Sequence, residues 1–323
     1  MNALTDLLPV AAGINRYFLA NFQEGRTWYM LDIIGAYKNY LTNVKHASSN
    51  TVASYMRDIR QYADWLRNSV NTDILDAQQA HIHDYLSHLN DDGRSSATVS
   101  RNLASLKNFY AYIVTSGFLN ETPVTDVHIE RSEKKLPQIL TGREIELLLA
   151  QPSLTDAKGI RDKAMLEVMY ATGIRVTELI DLNIEHVNLE LGVIKCVSAK
   201  KTRVIPLYPD ALSALALYLR TVRSGMIAAP DEQALFVNVA GSRMSRQGFW
   251  KIIKFYQAAA NIEKDVTPHT LRHSFAVHLL ENDADLESVR DLMGHSDISS
   301  TQIYTQMVNQ KVRSVYDKCH PKA

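Results

Sequence analysis

Hydrophobic side chains in the first third of the chain recur every three or four residues, which is the spacing of one face of an α-helix. The clearest series lies between residues 51 and 66 and comprises Val52, Tyr55, Ile59, Tyr62 and Leu66. The same spacing returns over residues 76–89 and 96–114, on either side of an Asp-Asp-Gly turn. The pattern therefore predicts a helical domain over residues 26–129.

The helical periodicity fades between residues 120 and 140. Five of the six residues from 130 to 135 are charged, and Pro137 follows them. Charged residues and proline keep a segment extended and solvated, so we expect a linker over residues 130–139. Residues 1–25 form an apolar extension ahead of the first domain, and the pattern assigns no role to it.

A second domain is predicted over residues 140–323. Its first helix has a start signal, because Thr141 and Glu144 show the spacing of a capping box. The predicted helices at its beginning are residues 140–150, 161–170 and 176–182. Two β-rich runs, over residues 193–198 and 203–207, predict a hairpin in which Pro206 suits an outer strand. The expected fold is therefore mainly α with a small β-hairpin or sheet, an α+β domain behind a helical one.

The composition narrows the class of protein. Of 323 residues, 46% are hydrophobic and 22% are charged, as in ordinary globular chains, and Lys plus Arg equals Asp plus Glu at 35 each. The net charge of zero excludes a long polyelectrolyte, so any argument for nucleic acid must come from local charge. No apolar run reaches the roughly 18 residues of a membrane helix, and the N-terminus makes a poor signal peptide. The chain has two cysteines, Cys196 and Cys319, which make no disulfide framework. Together with the two preceding observations, this cysteine content indicates a cytoplasmic protein.

Local charge is uneven along the chain. Residues 94–107 carry +3 without an acid, residues 195–223 carry a net +5, and residues 281–291 hold five acids and one arginine. Such opposite patches suit a protein with one face against a polyanion, and a solvated helix surface is the alternative for residues 94–107. The candidate DNA contacts are Arg94, Arg101, Lys107, Lys201, Arg203, Arg243, Arg246 and Lys251.

Two histidines and an arginine stand close together at residues 269–273. His269 and His273 have the spacing of a zinc-protease helix, but that motif needs a glutamate where this chain has Thr270. Arg272 projects to the same side and would repel a metal cation, since arginine stays protonated. The cluster therefore favours an anion as ligand, and no metal is expected. The structural alternative is a capping His269 and a packed His273.

Four short strings together suit the transfer of a phosphoryl group without a metal. They are residues 171–179 with Arg175, residues 269–273, residues 292–295 with His295, and residues 300–304 with Tyr304. Paired guanidinium donors stabilise the charge of a phosphodiester under attack. A tyrosine is only about 0.1% ionised at pH 7, so it needs a base or a positive site. The sequence has no P-loop and no dinucleotide fingerprint, so no cofactor is expected. A surface ion pair of Arg175 with Glu178 is the structural alternative.

In these strings the chain resembles the tyrosine recombinase family, in particular the Xer-type bacterial site-specific recombinases and the related phage integrases. Ala-Thr-Gly-Ile-Arg-Val-Thr-Glu-Leu at residues 171–179 is similar to the first arginine box, and His-Thr-Leu-Arg-His at residues 269–273 is similar to the second. Gly294-His295, with a tyrosine nine residues after the histidine, is similar to the nucleophile region. The order of the three motifs along the chain matches as well.

The resemblance implies a role for each matching residue. Arg175 and Arg272 would grip the scissile phosphate. His269 and His295 would bond its oxygens, with His269 the partner of the tyrosine proton. Tyr304 would attack phosphorus and leave a 3′-phosphotyrosyl link and a free 5′-hydroxyl.

Two supporting roles follow from the same resemblance. Glu178 would orient basic residues, and a lysine at the hairpin tip would protonate the leaving 5′ oxygen. The match at the hairpin is looser, because the family usually shows a Gly-Lys-Gly turn and this chain reads Ser-Ala-Lys-Lys-Thr at residues 198–202. Lys200 is assigned to this role, with Lys201 as the alternative.

The resemblance also implies an architecture and partners. A helical core-binding domain and a catalytic domain would form a C-shaped clamp on double-stranded DNA. Four protomers, of one kind or of two, would assemble on two recombination sites, and a C-terminal helix would pack into the neighbouring protomer. Residues 309–318 are the candidate for that helix, and packing onto its own domain is the alternative. A second recombinase or a DNA translocase would be a further partner, and no membrane partner is expected.

Within the family, the length of the chain favours the Xer type, whose usual function is the resolution of chromosome or plasmid dimers. A mobile-element integrase or excisionase has the same architecture and is the first alternative. A catalytically inactive DNA-binding protein on the same scaffold, a type IB topoisomerase-like enzyme and a metal hydrolase are further alternatives.

Overall fold

A computed structural model describes residues 26–125, 127, 136–197 and 202–294, with side chains from residue 33 onward. The chain divides into two compact units, Met1–Lys134 and Lys135–Ala323. The predictions that fall outside the described residues concern the extension 1–25, most of the linker 130–139, Lys200, Lys201, His295, Tyr304 and the helix 309–318.

The described part of the first unit is helical. Its helices are α1 (Arg26–Asn39), α2 (Ser49–Trp65), α3 (Gln79–Asp91) and α4 (Ser96–Thr115). Single π-helical turns, Tyr40–Val44 and Leu66–Val70, extend α1 and α2. The helices predicted over residues 51–66 and 96–114 are therefore confirmed.

Serine side chains mark where two of these helices begin. Ser48 accepts a hydrogen bond from the backbone N–H of Thr51, and Ser95 accepts one from Thr98. Helix α3 begins at Gln79, three residues after the predicted start of this helix at residue 76. The reason is a turn closed by Asp73, whose backbone carbonyl accepts the Asp76 N–H and whose side chain accepts the Leu75 N–H.

The core of the first unit is rich in tyrosine and contains one buried acid. Asp58 is 1% exposed and accepts hydrogen bonds from Ser105 at 2.7 Å and from the guanidinium of Arg101. A buried carboxylate needs such a partner, because removal from water penalises its charge. Arg101, predicted as a DNA contact, therefore neutralises an internal charge, and its side chain is 37% exposed.

The second unit combines helices with a small sheet, so the predicted fold class is confirmed. Its helices are α5 (Gly142–Ala150), α6 (Ala157–Thr172), α7 (Val176–Asp181), α8 (Pro209–Leu217), α9 (Arg223–Met226), α10 (Arg246–Ala259), α11 (Pro268–Glu281) and α12 (Leu286–Met293). A 3₁₀ turn (Ile184–His186) and a π-helical turn (Tyr218–Val222) complete the helical segments of its described part. No helix among the described residues is long and apolar enough to cross a membrane.

The sheet has three antiparallel strands in the order β1 (Val187–Asn188), β2 (Val193–Val197) and β3 (Thr202–Pro206). The predicted hairpin is confirmed, with Ile194 opposite Ile205 and Cys196 opposite Arg203. Pro206 lies on the edge strand β3, as expected. The two-residue strand β1 was not predicted, because so short a segment carries no period.

Helix α6 lies at the centre of the second unit, and most of its side chains are buried. Near its beginning, Arg161 and Asp162 form an internal ion pair with a 2.6 Å contact. The second oxygen of Asp162 accepts a hydrogen bond from the Tyr256 hydroxyl at 3.1 Å, and Arg161 donates to the Val237 carbonyl at 3.1 Å. This network fixes the start of the helix whose other end carries the first arginine box.

Candidate active site

The first arginine box begins where α6 ends. Gly173 has a φ of +56°, and a Cβ at this position would lie 2.2 Å from the ring of Phe275. Only glycine adopts this conformation and this close approach without strain. The turn places Arg175 at the N-cap of α7, where its backbone N–H donates to Glu178 Oε2 at 2.8 Å.

The arginine of the second box is held from two sides. Arg272 lies on α11 and is 4% exposed. Its Nη1 donates to the Gly173 carbonyl and its Nη2 donates to the Met293 carbonyl at 2.7 Å. These two bonds fix the guanidinium between the end of α6 and the end of α12.

Arg175 reaches the same end of α12. Its Nη2 donates to the Gly294 carbonyl at 3.1 Å, so the two arginines bind consecutive carbonyl groups. The Arg175 side chain is 43% exposed, whereas Arg272 is buried. The structure thus brings together two arginines that are 97 positions apart, at the turn that leads into His295.

The two histidines of the second box differ in environment. His269 is exposed and His273 is half-buried, and their ring centroids are 6.3 Å apart. Burial lowers the pKa of His273 to about 4, with smaller contributions from the neighbouring His269 and Arg272. His273 is therefore neutral at neutral pH. The cap of α11 is Thr267, which accepts the Thr270 N–H at 3.1 Å, so a capping role for His269 was wrong.

Arg203 lies in a different place from the one predicted. Its side chain is 5% exposed, and its Nη2 donates to Glu178 Oε1 at 3.0 Å. The expectation of a surface DNA contact is corrected, because the guanidinium is turned inward against a carboxylate. The sequence carries one signal for this: Arg203 occupies the same alternating position on β3 as the buried Ile205.

The prediction that Arg243 contacts DNA also needs correction. Its guanidinium donates to the carbonyls of Ile180 and Leu182 at 2.7 and 3.2 Å and to Asn183 Oδ1 at 2.6 Å. These bonds tie the end of α7 to the segment before α10. The other candidates in the described residues, Arg94, Lys107, Arg246 and Lys251, are exposed.

Helix α10 exposes aromatic as well as basic side chains. Trp250 is 46% exposed and Phe255 is 64% exposed. Lys254 lies 5.5 Å from the centroid of the Trp250 ring. The local charge of the sequence indicated the basic residues of this helix as DNA contacts and gave no signal for its exposed aromatic residues.

The described part of the site is strongly cationic. The guanidinium groups of Arg175 and Arg203 contact one carboxylate, that of Glu178, and the guanidinium of Arg272 binds the carbonyl of Met293 beside the Gly294 carbonyl that Arg175 binds. No group of three His, Cys, Asp or Glu side chains within residues 26–125, 136–197 and 202–294 could hold a metal ion. This arrangement attracts and orients an oxyanion such as a phosphodiester.

Both units match known domain families. Residues 138–311 match the phage integrase family, and residues 34–117 match the phage integrase N-terminal SAM-like domain. Among curated relatives, the tyrosine recombinase XerD of Staphylococcus epidermidis is 42% identical over 297 residues, which cover 91% of this chain and 100% of the relative. The tyrosine recombinase XerD of Staphylococcus aureus is 39% identical over the same length.

Solved structures share the fold. The XerA recombinase is 25% identical, with a TM-score of 0.51 over 90% of this chain and 98% of that one. The XerH site-specific recombinase bound to a palindromic difH substrate is 20% identical, with a TM-score of 0.71 over 84% of this chain and 80% of that one. A λ integrase dimer bound to a core site is 18% identical, with a TM-score of 0.66 over 84% of this chain and 94% of that one.

Proposed function

Because the chain belongs to the phage integrase family and is a site-specific tyrosine recombinase, an enzyme that cuts and rejoins DNA, we propose that it resolves chromosome or plasmid dimers. We also propose that the residues of the two arginine boxes hold the scissile phosphate. The observation that carries the assignment of residues is the convergence of Arg175 and Arg272 on the consecutive carbonyls of Met293 and Gly294. In the sequence, Gly294 is followed directly by His295 and, nine residues later, by Tyr304.

In the proposed cleavage step, the Tyr304 oxygen forms a bond to phosphorus and the bond from phosphorus to the 5′ oxygen breaks. The phenol proton passes to His269, and Lys200, with Lys201 as the alternative, gives a proton to the departing 5′ oxygen. His295 donates a hydrogen bond to a nonbridging oxygen. The products are a 3′-phosphotyrosyl ester and a free 5′-hydroxyl, so charge and protons balance.

The two arginines supply electrostatic stabilisation. Each guanidinium offers parallel donors to the nonbridging oxygens, whose charge is redistributed in the transition state. Arg272 is already oriented by two carbonyls before DNA binds, so little reorganisation is needed during the reaction. Glu178 balances part of the positive charge and holds the backbone of Arg175.

Rejoining needs no ATP in this scheme, because the phosphotyrosyl ester conserves the energy of the broken DNA linkage. A 5′-hydroxyl from another strand reverses the step and exchanges the strands. We propose that four protomers carry out two pairs of exchanges on two DNA sites, with residues 309–318 packing between neighbours. A second recombinase and a DNA translocase are the partners expected for dimer resolution.

A nicked duplex tests the function directly. When a nick lies a few nucleotides 3′ of the cleaved phosphate, the short 5′-hydroxyl fragment diffuses away and the protein stays covalently attached to DNA. We expect such an adduct to form in the presence of a chelator. When the protein is trapped covalently on genomic DNA, we expect sequencing of that DNA to give one chromosomal or plasmid site. Trapped ends of mobile DNA would support an integrase instead, and relaxation of plasmids without a site would support a topoisomerase-like enzyme.

We also propose that the exposed face of α10 contacts DNA. Arg246, Trp250 and Lys251 lie on this face and are exposed. A lysine that binds a phosphate displaces a counterion, so Lys251→Ala should weaken DNA binding and reduce the slope of log K against log salt by about one. The matched control is Lys264→Ala, because the Lys264 ammonium already pairs with Glu144 at 2.6 Å. An unchanged slope for Lys251→Ala would remove this residue from the DNA interface.

A further inference from the structure

Arg203 is an arginine on the buried side of a small sheet, a position where an apolar residue is expected. It lies on β3 opposite Cys196, and its side chain is 5% exposed. A buried guanidinium costs solvation energy, so a protein retains one only where it has partners to bind. Its partner is Glu178, the same carboxylate that binds Arg175.

The two arginines compete for one carboxylate oxygen. Glu178 Oε1 accepts Arg203 Nη2 at 3.0 Å and Arg175 Nη1 at 3.5 Å. The shorter bond is to Arg203, so the contact of Oε1 with Arg175 is weak. Without Arg203, both oxygens of Glu178 could form the two-bond pair with the Arg175 guanidinium that a carboxylate prefers. That pair would draw the Arg175 fork away from Gly294 and from a phosphate.

Arg203 also lies directly against the turn that both other arginines bind. Gly294 has a φ of +65°, and a Cβ there would lie 1.6 Å from Arg203 Nη1. The guanidinium therefore occupies the space that a side chain at residue 294 would need. Gly294 in turn supplies the carbonyl that accepts Arg175 Nη2 at 3.1 Å.

We propose that Arg203 is a positioning residue for DNA cleavage: it holds Glu178 and the Gly294 turn so that the guanidinium of Arg175 stays aimed at the scissile phosphate. With a side chain that is 5% exposed, Arg203 acts in this proposal through Glu178 and Gly294 and not by binding DNA itself. The inference rests on the proposed role of Arg175, and it extends the machinery of the site to a residue of the hairpin.

The first test compares cleavage rates at saturating DNA for Arg203→Met, Glu178→Gln and the double variant. Misplacement of a binding group by about 1 Å costs up to about 100-fold, so we expect Arg203→Met to slow cleavage by roughly 10- to 100-fold with DNA affinity within about 3-fold. The neutral amide introduced by Glu178→Gln cannot form an ion pair with Arg175, so the double variant should be no slower than Arg203→Met. The proposal would be overturned if the rate losses of Arg203→Met and Glu178→Gln multiplied in the double variant. It would also be overturned if Arg203→Met cleaved within about 3-fold of the wild-type rate.

The second test separates positioning of charge from general support of the fold. A methylphosphonate at the scissile position removes the negative charge that Arg175 is meant to neutralise. The defect of Arg203→Met relative to the wild type should therefore shrink at least about 5-fold on this substrate, as should the defect of Arg175→Ala. Equal losses of Arg203→Met on both substrates would contradict the proposal.

Two further variants distinguish a loss of positioning from a loss of folding. Arg203→Lys keeps a charge that reaches Glu178 and should recover part of the cleavage rate. Arg223→Lys is the matched control, because Arg223 is another buried arginine of this unit, bound to the carbonyls of Glu232 and Ala234 at 2.6 Å. The melting temperature of Arg223→Lys should fall, while its cleavage rates on the phosphodiester and on the methylphosphonate substrate should change by the same factor. A wild type that forms no adduct with nicked DNA would instead refute the proposed function.

Discussion

Tyr304→Phe is expected to abolish the covalent protein–DNA adduct while DNA affinity stays within about 2-fold of the wild type. The substitution removes a single oxygen, the proposed nucleophile, and leaves the cationic site around Arg175 and Arg272 unchanged. Loss of the nucleophile lowers the rate of covalent catalysis by at least about 10⁴-fold. The measurement is adduct formation on nicked DNA, followed over hours and compared with binding in a gel-shift assay.

The chain offers matched controls for this variant. Tyr208→Phe and Tyr256→Phe also remove one hydroxyl, and these hydroxyls donate to Glu167 and Asp162 inside the second unit. We expect both controls to lose stability and to keep adduct formation at about the wild-type level. A DNA adduct in the Tyr304→Phe variant would exclude Tyr304 as the nucleophile.

Arg272→Lys should have the second largest effect, a loss of about 100- to 1000-fold in cleavage rate at saturating DNA. Lysine keeps the charge but loses the planar fork that binds two phosphate oxygens in parallel. It also cannot donate to the carbonyls of Gly173 and Met293 at once, so a buried carbonyl is left unpaired at a cost of about 1–3 kcal/mol in stability.

Melting temperatures separate these two consequences. Arg223→Lys removes a comparable buried fork from the same unit and should lower stability by a similar amount without slowing cleavage below the melting transition. If Arg272→Lys is destabilised like this control but cleaves at the wild-type rate, then Arg272 does not bind the scissile phosphate.

Local sequence patterns predicted the elements of the fold better than their contacts. The apolar spacing between residues 51 and 66 defined α2, and the spacing of Thr141 and Glu144 gave the start of α5, where the structure has a capping box. These signals lie within a few residues of one another. The two-residue strand β1 exists only because β2 lies beside it, so no local pattern could indicate it.

The site shows the same limit more clearly. The strings predicted Arg175 and Arg272 as site residues, and the structure brings these two arginines together. Arg203 was assigned to the DNA surface because net charge does not tell which way a side chain points. Its role depends on Glu178, 25 positions earlier, and on the space beside Gly294. Burial along β3 follows an alternating pattern, and that pattern is the signal that could have placed Arg203 inside.

The binding of two arginines to neighbouring carbonyls at the end of α12 has a consequence for control of the enzyme. Any rearrangement that shifts Met293 and Gly294 would disturb the contacts of both guanidinium groups together. Displacement of this turn would therefore withdraw the support of both arginines at once, and not of one arginine alone. In the proposed assembly of four protomers, contacts between subunits that displace this turn would thereby lower the cleavage rate of the subunit that carries it.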